Sequence, residues 1–333
     1  MKILFLGDIY PAEMSLIAEL KSNPEHDVYS IISVSYIGDI QSYAEKKPIY
    51  ANIPKITGAK LLGQNPQKDI SDAVNSFAPD IIMVRCWTPF VLMKLKESVF
   101  WKIESPARMH PDDSLPMILP GYPVRLFLTQ NPEEVEAYKK TISGPVDYLP
   151  RCVSRFWEMP AEKTMDVMVS GTCTTDFKIQ SYTILSKLLC ERLPRDSVKM
   201  FVHMGRKNIK SWAARQFQPI FMSEQGVALA ARAKIYVSPI ATRYDPGDIS
   251  HKTTQAMACR TLVVTHRFNE IEKYLGPDGE NLVYADTPEE SLDKVRFYLK
   301  NDKAREDIAE RGYRFMHSEY SWDKHLKRIF KDG

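Results

Sequence analysis

The chain has 333 residues, 44% of them hydrophobic, a length and composition that suit two domains with a packed core each. Its 45 basic and 42 acidic residues leave a net charge of +3, so charge alone argues neither for a nucleic-acid binder nor for a membrane-surface protein. The five cysteines (Cys86, Cys152, Cys173, Cys190 and Cys259) are odd in number and form no CxxC pair, which reads as reduced thiols of a cytoplasmic protein rather than a disulfide scaffold or a zinc site. MKILFLGDIYP is too short for a signal-peptide core, and no apolar run of about 18 residues occurs, so no integral membrane segment is expected.

In chain order, KILFLGD (2–8) reads as a buried parallel strand that opens into a loop, AEMSLIAELKS (12–22) as a helix and DVYSIISVS (27–35) as the next strand. SDAVNSFAPDIIMVRCW (71–87) gives a helix, a Pro-Asp break and a strand; FWKIES (100–105) and VRLFLTQ (124–130) are further strands. NPEEVEAYKKT (131–141) has acids in its first turn and lysines in its last, as a helix dipole favours. GPVDYLPRCVSRFWEMPAEKT (144–164) carries three prolines and no period, and reads as a bridge. A second series follows: strand 165–172, helix 176–193, strand 198–205, helix 223–233, strand 234–240, helix 251–259, strand 260–266, then helices at 287–301 and 303–319 and the segment SWDKHLKRIF. Alternating strands and helices imply an α/β fold of two doubly wound, Rossmann-like domains whose strand ends face a central cleft. The expected division is 1–150, a linker at 151–164, a domain at 165–318 and a closing helix at 319–333 that returns to the first domain.

The stretch YDPGDISHKTTQAMACR (244–260) puts an acid, a hydroxyl, an imidazole and an amine at the mouth of a helix. A helix N-terminus offers N–H groups without partners and a partial positive charge, a seat for a diphosphate. Ser250, Thr253 and Thr254 would add hydroxyl donors, Lys252 would neutralise a leaving diphosphate without a metal, and His251 would assist. Gly171, with Thr172 behind it, ends the first strand of this half and would let backbone approach a phosphate. The plainer readings are a helix cap for Asp248 or Ser250 and a solvated amine for Lys252. Cys259 reads as core.

Three stretches carry a resemblance: DVMVSGT, then YDPGDISHKTTQAMACRTLVVTHRFNEIEKYLGPDGENLVYADTPEESLDKVRFYLKND, then AREDIAERGYRFMHSEYSW. Their order resembles the nucleotide-sugar lobe of GT-B glycosyltransferases, and most of all the spore-maturation-protein (CgeB-like) branch related to the glycosyltransferase-4 group. TQNPEEVEAYKK and VDYLPRCVS are similar to that family's last N-lobe strand, helix and crossover. The resemblance implies a metal-independent, retaining glycosyltransferase with no permanent cofactor, a nucleotide-diphosphate sugar (a UDP-sugar foremost) as co-substrate, and an N-terminal domain on the acceptor side. The residues that would bind donor are Gly7, Gly171, Thr172, Asp248, Ser250, His251, Lys252, Thr253, Thr254, Gln255 and Glu270. His110, with Asp112 or Asp113, would join Lys252 in the chemistry, although His110 also reads as a packed or solvated histidine and Glu270 as a cap. The family has Glu where Gln255 stands and Gly where Arg260 stands, which leaves room for an altered donor or an inactive homologue.

The acceptor stays open: a glycan, a protein, a small molecule or a modified DNA base. The DNA option, a phage-type activity, would use Arg85, Lys94, Lys96, Lys102, Arg108, Arg206, Lys207 and Lys210, with Trp212 and Phe217 to stack on bases; the plainer reading of 203–217 is a solvated loop and helix face. An epimerase would want paired carboxylates and a phosphorylase a lysine-held cofactor, and neither has a specific signal. A non-catalytic nucleotide-binding homologue is supported by Gln255. A dinucleotide dehydrogenase is disfavoured because no GxGxxG follows the first strand.

Overall fold

The computed structural model describes residues 1–8, 11–33, 60–61, 65–85, 98–102, 124–130, 132–140, 142, 144–155, 161–172, 176–194, 196–204, 217–219, 223–238, 249–267 and 271–331. They form two compact units, Met1–Pro150 with His325–Gly333, and Arg151–Lys324.

The first unit holds β1 (Lys2–Asp8), α1 (Pro11–Ser22), β2 (Asp27–Ser33), β3 (Lys60–Leu61), α2 (Pro66–Phe77), β4 (Ile81–Arg85), β5 (Ser98–Lys102), β6 (Val124–Thr129), a 3-10 turn at Pro132–Glu134, α3 (Val135–Lys139) and β7 (Val146–Tyr148). Its strands pair in the order β3-β2-β1-β4-β5-β6-β7, every pair parallel. Alternate residues such as Leu4, Leu6, Ile82, Val84 and Phe127 pack with Ile70 and Ala73 of α2 and Tyr138 of α3, as a period of two requires. Helix α2 begins five residues before the expected start at 71: Asn65 accepts a hydrogen bond from the Lys68 N–H at 3.1 Å and Pro66 fills the first turn. The strand β7 lies inside the stretch read as a bridge. Three residues between Pro145 and Pro150 are too few to show a period, yet they complete the sheet edge beside β6.

The second unit holds β8 (Met165–Thr172), α4 (Asp176–Arg192), β9 (Val198–Met204), β10 (Phe217–Pro219), α5 (Ser223–Arg232), β11 (Ala233–Ser238), α6 (His251–Ala258), β12 (Leu262–His266), α7 (Ile271–Leu275), β13 (Val283–Ala285), α8 (Pro288–Lys300) and α9 (Asp302–Glu319). The order is β10-β9-β8-β11-β12-β13, again all parallel. Residues Met168, Tyr236, Val263 and Tyr284 bury on one face with α5, α6 and the end of α9. Their neighbours Val167, Val169, Ile235, Val237, Leu262 and Val264 bury on the other with α4, α8 and the start of α9. A last helix, α10 (Trp322–Lys331), starts in the second unit and ends in the first, where Phe330 meets His26 edge-on and Arg328 bonds the Tyr148 carbonyl.

In both sheets the strand order reverses beside the first strand, between β1 and β4 and between β8 and β11. Open α/β sheets bind ligands at the carboxyl ends of strands at such a reversal. The fold is α/β, two doubly wound parallel sheets.

Candidate functional site

The carboxyl end of β8 is the first part of the site. Its register shifts between Gly171 and Thr172, a local irregularity of the kind that re-aims backbone at sheet rims. The Ser170 carbonyl just before it accepts two phenolic hydrogen bonds, from Tyr182 of α4 at 2.6 Å and from Tyr236 of β11 at 3.1 Å. The Ser170 hydroxyl lies 3.4 Å from the Tyr236 oxygen. Burial pushes the Tyr236 phenol up to about 12, so it remains a donor at any working pH.

The second part is the start of α6. The helix ends four residues before β12 begins, at the amino edge of the sheet, so its N-terminus points back toward the carboxyl edge, about 12 Å away at 1.5 Å per residue. Ser250 is the N-cap, and its carbonyl accepts from Thr253 and Thr254 N–H at 2.9 and 3.2 Å. Its side chain makes no capping bond, and the first turn contains no acid. Helices α2, α8 and α9 each carry an acid in the first turn: Asp69, Glu289 with Glu290, and Asp302. Helix α6 carries Lys252 there instead, against the usual preference at the positive end of a dipole.

Both ring nitrogens of His251 are shielded from solvent although part of the residue is exposed. Burial, then the charges of Arg151 and Lys252, lowers its pKa to about 3. The imidazole is therefore neutral at pH 7 and presents a dipole rather than a charge. Thr254 is fully buried and its hydroxyl donates to the His251 carbonyl at 3.0 Å, a bond that ties it to its own helix. Gln255 is 5% exposed, and its amide nitrogen has no hydrogen-bond partner among the described residues.

The other end of α6 closes as a Schellman motif: Thr261 N–H bonds the Ala256 carbonyl and Arg260 N–H the Met257 carbonyl, each at 3.2 Å. Arg260 takes the left-handed position, φ +53°. Its guanidinium offsets that strain by pairing with Glu310 at 2.8 Å and lying 3.4 Å over the Tyr313 ring. The Arg-for-Gly departure thus sits at the far end of the helix and keeps the turn. Half-buried Lys163 also serves this end, donating to the Cys259 carbonyl at 3.2 Å and to Thr261 Oγ1 at 2.8 Å; desolvation lowers its pKa to about 8.

Of the residues singled out, Gly7 is buried near the end of β1, opposite Ile32. Gly171 and Thr172 end β8, Ser250 caps α6, and His251, Lys252, Thr253, Thr254 and Gln255 form its first five positions. His110, Asp112, Asp113, Asp248 and Glu270 lie outside the described residues. So do Lys94, Lys96, Arg108, Arg206, Lys207, Lys210 and Trp212, whereas Phe217 opens the edge strand β10 rather than a helix face. Tyr182, Tyr236 and Arg151 were not foreseen. The one usable signal was Tyr236 in KIYVS, since a buried phenol needs a hydrogen-bond partner. Among the described residues, no helix is long and apolar enough to cross a membrane, and Cys152, Cys190 and Cys259 are thiols.

Two doubly wound sheets with these switch points define the GT-B architecture. Residues 186–331 match the family model described as glycosyl transferase-like. Three solved structures share the fold. HepE from Anabaena, in complex with UDP-glucose, is 14% identical with a TM-score of 0.69 and covers 99% of this chain and 98% of that one. Sucrose-phosphate synthase from Thermosynechococcus elongatus is 9% identical with a TM-score of 0.60, covering 99% and 98%. T4 phage BGT, in complex with UDP and Mn2+, is 14% identical with a TM-score of 0.59, covering 99% of each chain. No curated protein sequence matches the chain. The chain therefore has the GT-B fold, and residues 186–331 are similar to a glycosyl transferase-like family.

Proposed function

We propose that the protein moves a sugar from a nucleotide-diphosphate sugar, a UDP-sugar foremost, to an acceptor hydroxyl, without a metal and with retention of configuration. The second unit holds the donor and the first the acceptor, which is a glycan, a protein, a small molecule or a modified DNA base. The reaction runs in the cytoplasm, in keeping with the thiols, and the order of the C-terminal motifs supports the spore-maturation-protein branch.

The observation that carries this reading is the start of α6, an acid-free helix N-terminus with Lys252 in its first turn, beside a neutral His251 and the charge of Arg151. Positive charge at the positive end of a helix dipole favours an anion at this place. The UDP-glucose bound by HepE supports a nucleotide diphosphate as that anion. In the reaction, the bond from the sugar's anomeric carbon to the diphosphate breaks and a bond to the acceptor oxygen forms. The acceptor proton passes to the leaving phosphate, while Lys252 and the helix N–H groups hold its growing charge. Gly171 and Thr172 offer backbone to the phosphates, and Gln255 reaches the ribose. His110, with Asp112 or Asp113, serves the transferred sugar, and Asp248 and Glu270 complete the donor contacts.

A thermal-shift panel of UDP, GDP, CDP, ADP and their common sugar conjugates tests the reading. Ligand at about 100 times its dissociation constant adds about 2.7 kcal/mol, which is a shift of several degrees. Lys252→Ala is expected to weaken UDP by about 1–3 kcal/mol. Turnover of a UDP-sugar in EDTA, unchanged by Mn2+, is expected for a metal-independent enzyme. No shift with any nucleotide, or equal affinity in the Lys252→Ala variant, overturns the assignment.

A further inference from the structure

Lys163 lies two residues before β8, and its side chain ends at the carboxyl ends of two helices. The amine donates to the carbonyl of Cys259, the C-cap of α6, at 3.2 Å and to Thr261 Oγ1 at 2.8 Å. Thr261 Oγ1 in turn donates to the Ala230 carbonyl, in the last turn of α5, at 2.6 Å. One positive charge therefore stands where α5 and α6 both present the negative ends of their dipoles. Lys163 is also continuous with β8, whose carboxyl end is the first part of the candidate site, while the start of α6 is the second. The strand makes its ladder bonds to β9 and β11, so the amine supplies a direct tie between the lead-in of β8 and α6. Helix α6 has only eight residues, and a tilt at its C-cap carries through to its start.

Resting on the nucleotide-binding reading above, we propose that Lys163 is a positioning residue for the donor: from the amino edge of the sheet its ammonium fixes the start of α6 relative to Gly171 and Thr172. It acts through α6 and touches no ligand. The charge on which this depends is removable close to neutrality, because desolvation lowers its pKa to about 8. The charged and titratable groups recorded around it are Cys259, Arg305 of α9 and Arg260. The Cys259 thiol is pushed up to about 12 by burial and stays neutral, and both arginines oppose the ammonium. The ammonium is therefore complete below pH 8 and is lost as pH rises through that value. The neutral amine keeps two N–H donors but loses its attraction to the two helix ends.

The test is calorimetric binding of UDP to the full-length protein and to its Lys163→Arg and Lys163→Met variants at pH 7, 8 and 9. Arginine stays charged throughout, so Lys163→Arg is expected to match the wild type at pH 7 and to bind UDP severalfold more tightly than the wild type at pH 9. Lys163→Met, without charge or donor, is expected to bind severalfold more weakly than the wild type at pH 7, and the gap should narrow by pH 9. Titration of UDP itself affects all three proteins alike and cancels in the affinity ratios. A merely structural lysine would lower stability in Lys163→Met without this step in the ratios. Should one variant not fold, the other ratio still carries the test. Wild type and Lys163→Arg falling in parallel from pH 7 to 9, or Lys163→Met binding UDP as tightly as the wild type at pH 7, overturns the inference and leaves the nucleotide-binding reading standing. Failure of the wild type to bind UDP at pH 7 overturns both.

Discussion

In the first unit, the hydrogen bonds described around β1 gather at its amino end. The N-terminal ammonium donates to the Glu25 carbonyl, Lys2 N–H to Asp80, and Lys2 Nζ to the Phe77 carbonyl. In the second unit the amino end of β8 is also tied, by Lys234 to Asp166 at 2.7 Å, but two tyrosines brace the carboxyl end as well, through the Ser170 carbonyl. Among the described residues, the first strands of the two sheets are thus held at different places. The braced carboxyl end belongs to the unit with the acid-free helix start. Backbone already held in place need not be ordered when a ligand arrives, which lowers the cost of binding.

The largest expected effect tests how firmly the second unit is built. A Cβ added at Gly312 would lie 2.3 Å from the Asn281 carbonyl oxygen, which is backbone held between Leu275 and α9. Gly312→Ala is expected to destabilise the protein by about 2–3 kcal/mol, read as a lower urea midpoint.

Next comes acid. His251 has a folded pKa of about 3 against an ordinary value of 6.5, so the unfolded chain takes up a proton that the folded one refuses. Its contribution is complete above pH 6.5 and is lost as pH falls toward 3; between pH 6.5 and 5 the loss is about 2 kcal/mol. Stability measured across that window should fall in the wild type and flatten in His251→Gln.

Tyr236→Phe and Tyr182→Phe are each expected to cost about 1 kcal/mol and to weaken UDP binding. Asp80→Ala, which frees the amino end of β1, should lower stability and leave UDP binding unchanged. Equal effects on UDP from all three variants would erase the contrast between the two edges. The smallest effect is expected at Arg260→Gly, where relief of left-handed strain opposes loss of the Glu310 pair and the Tyr313 stack. The net change in unfolding free energy should stay within about 1 kcal/mol.

The strands β1 and β8 were legible to the residue, because a continuous apolar run ending in glycine has one economical use in a parallel sheet. Helix α6 was legible within one residue at its end, through the small-residue run TTQAMAC. Four short edge strands were not: β3, β7, β10 and β13 hold two or three residues each, and their pairing depends on a neighbour farther along the chain rather than on local pattern. The chemistry of the α6 start was readable as residue types. Its electrostatics were not, since the neutral state of His251 depends on burial and on Arg151, a hundred residues earlier in the chain. The meaning of Arg260 was hidden for a similar reason: Glu310 and Tyr313 lie on α9, fifty residues on.

Helix α10 also bears on the order in which the molecule is assembled during synthesis. The first unit includes residues 325–333, with Phe330 against His26 and Arg328 on Asp147 and Tyr148. The unit whose residues leave the ribosome first is therefore finished last. A nascent chain stalled before residue 325 would carry a complete second unit behind an uncapped first one, with the surface around His26 still exposed.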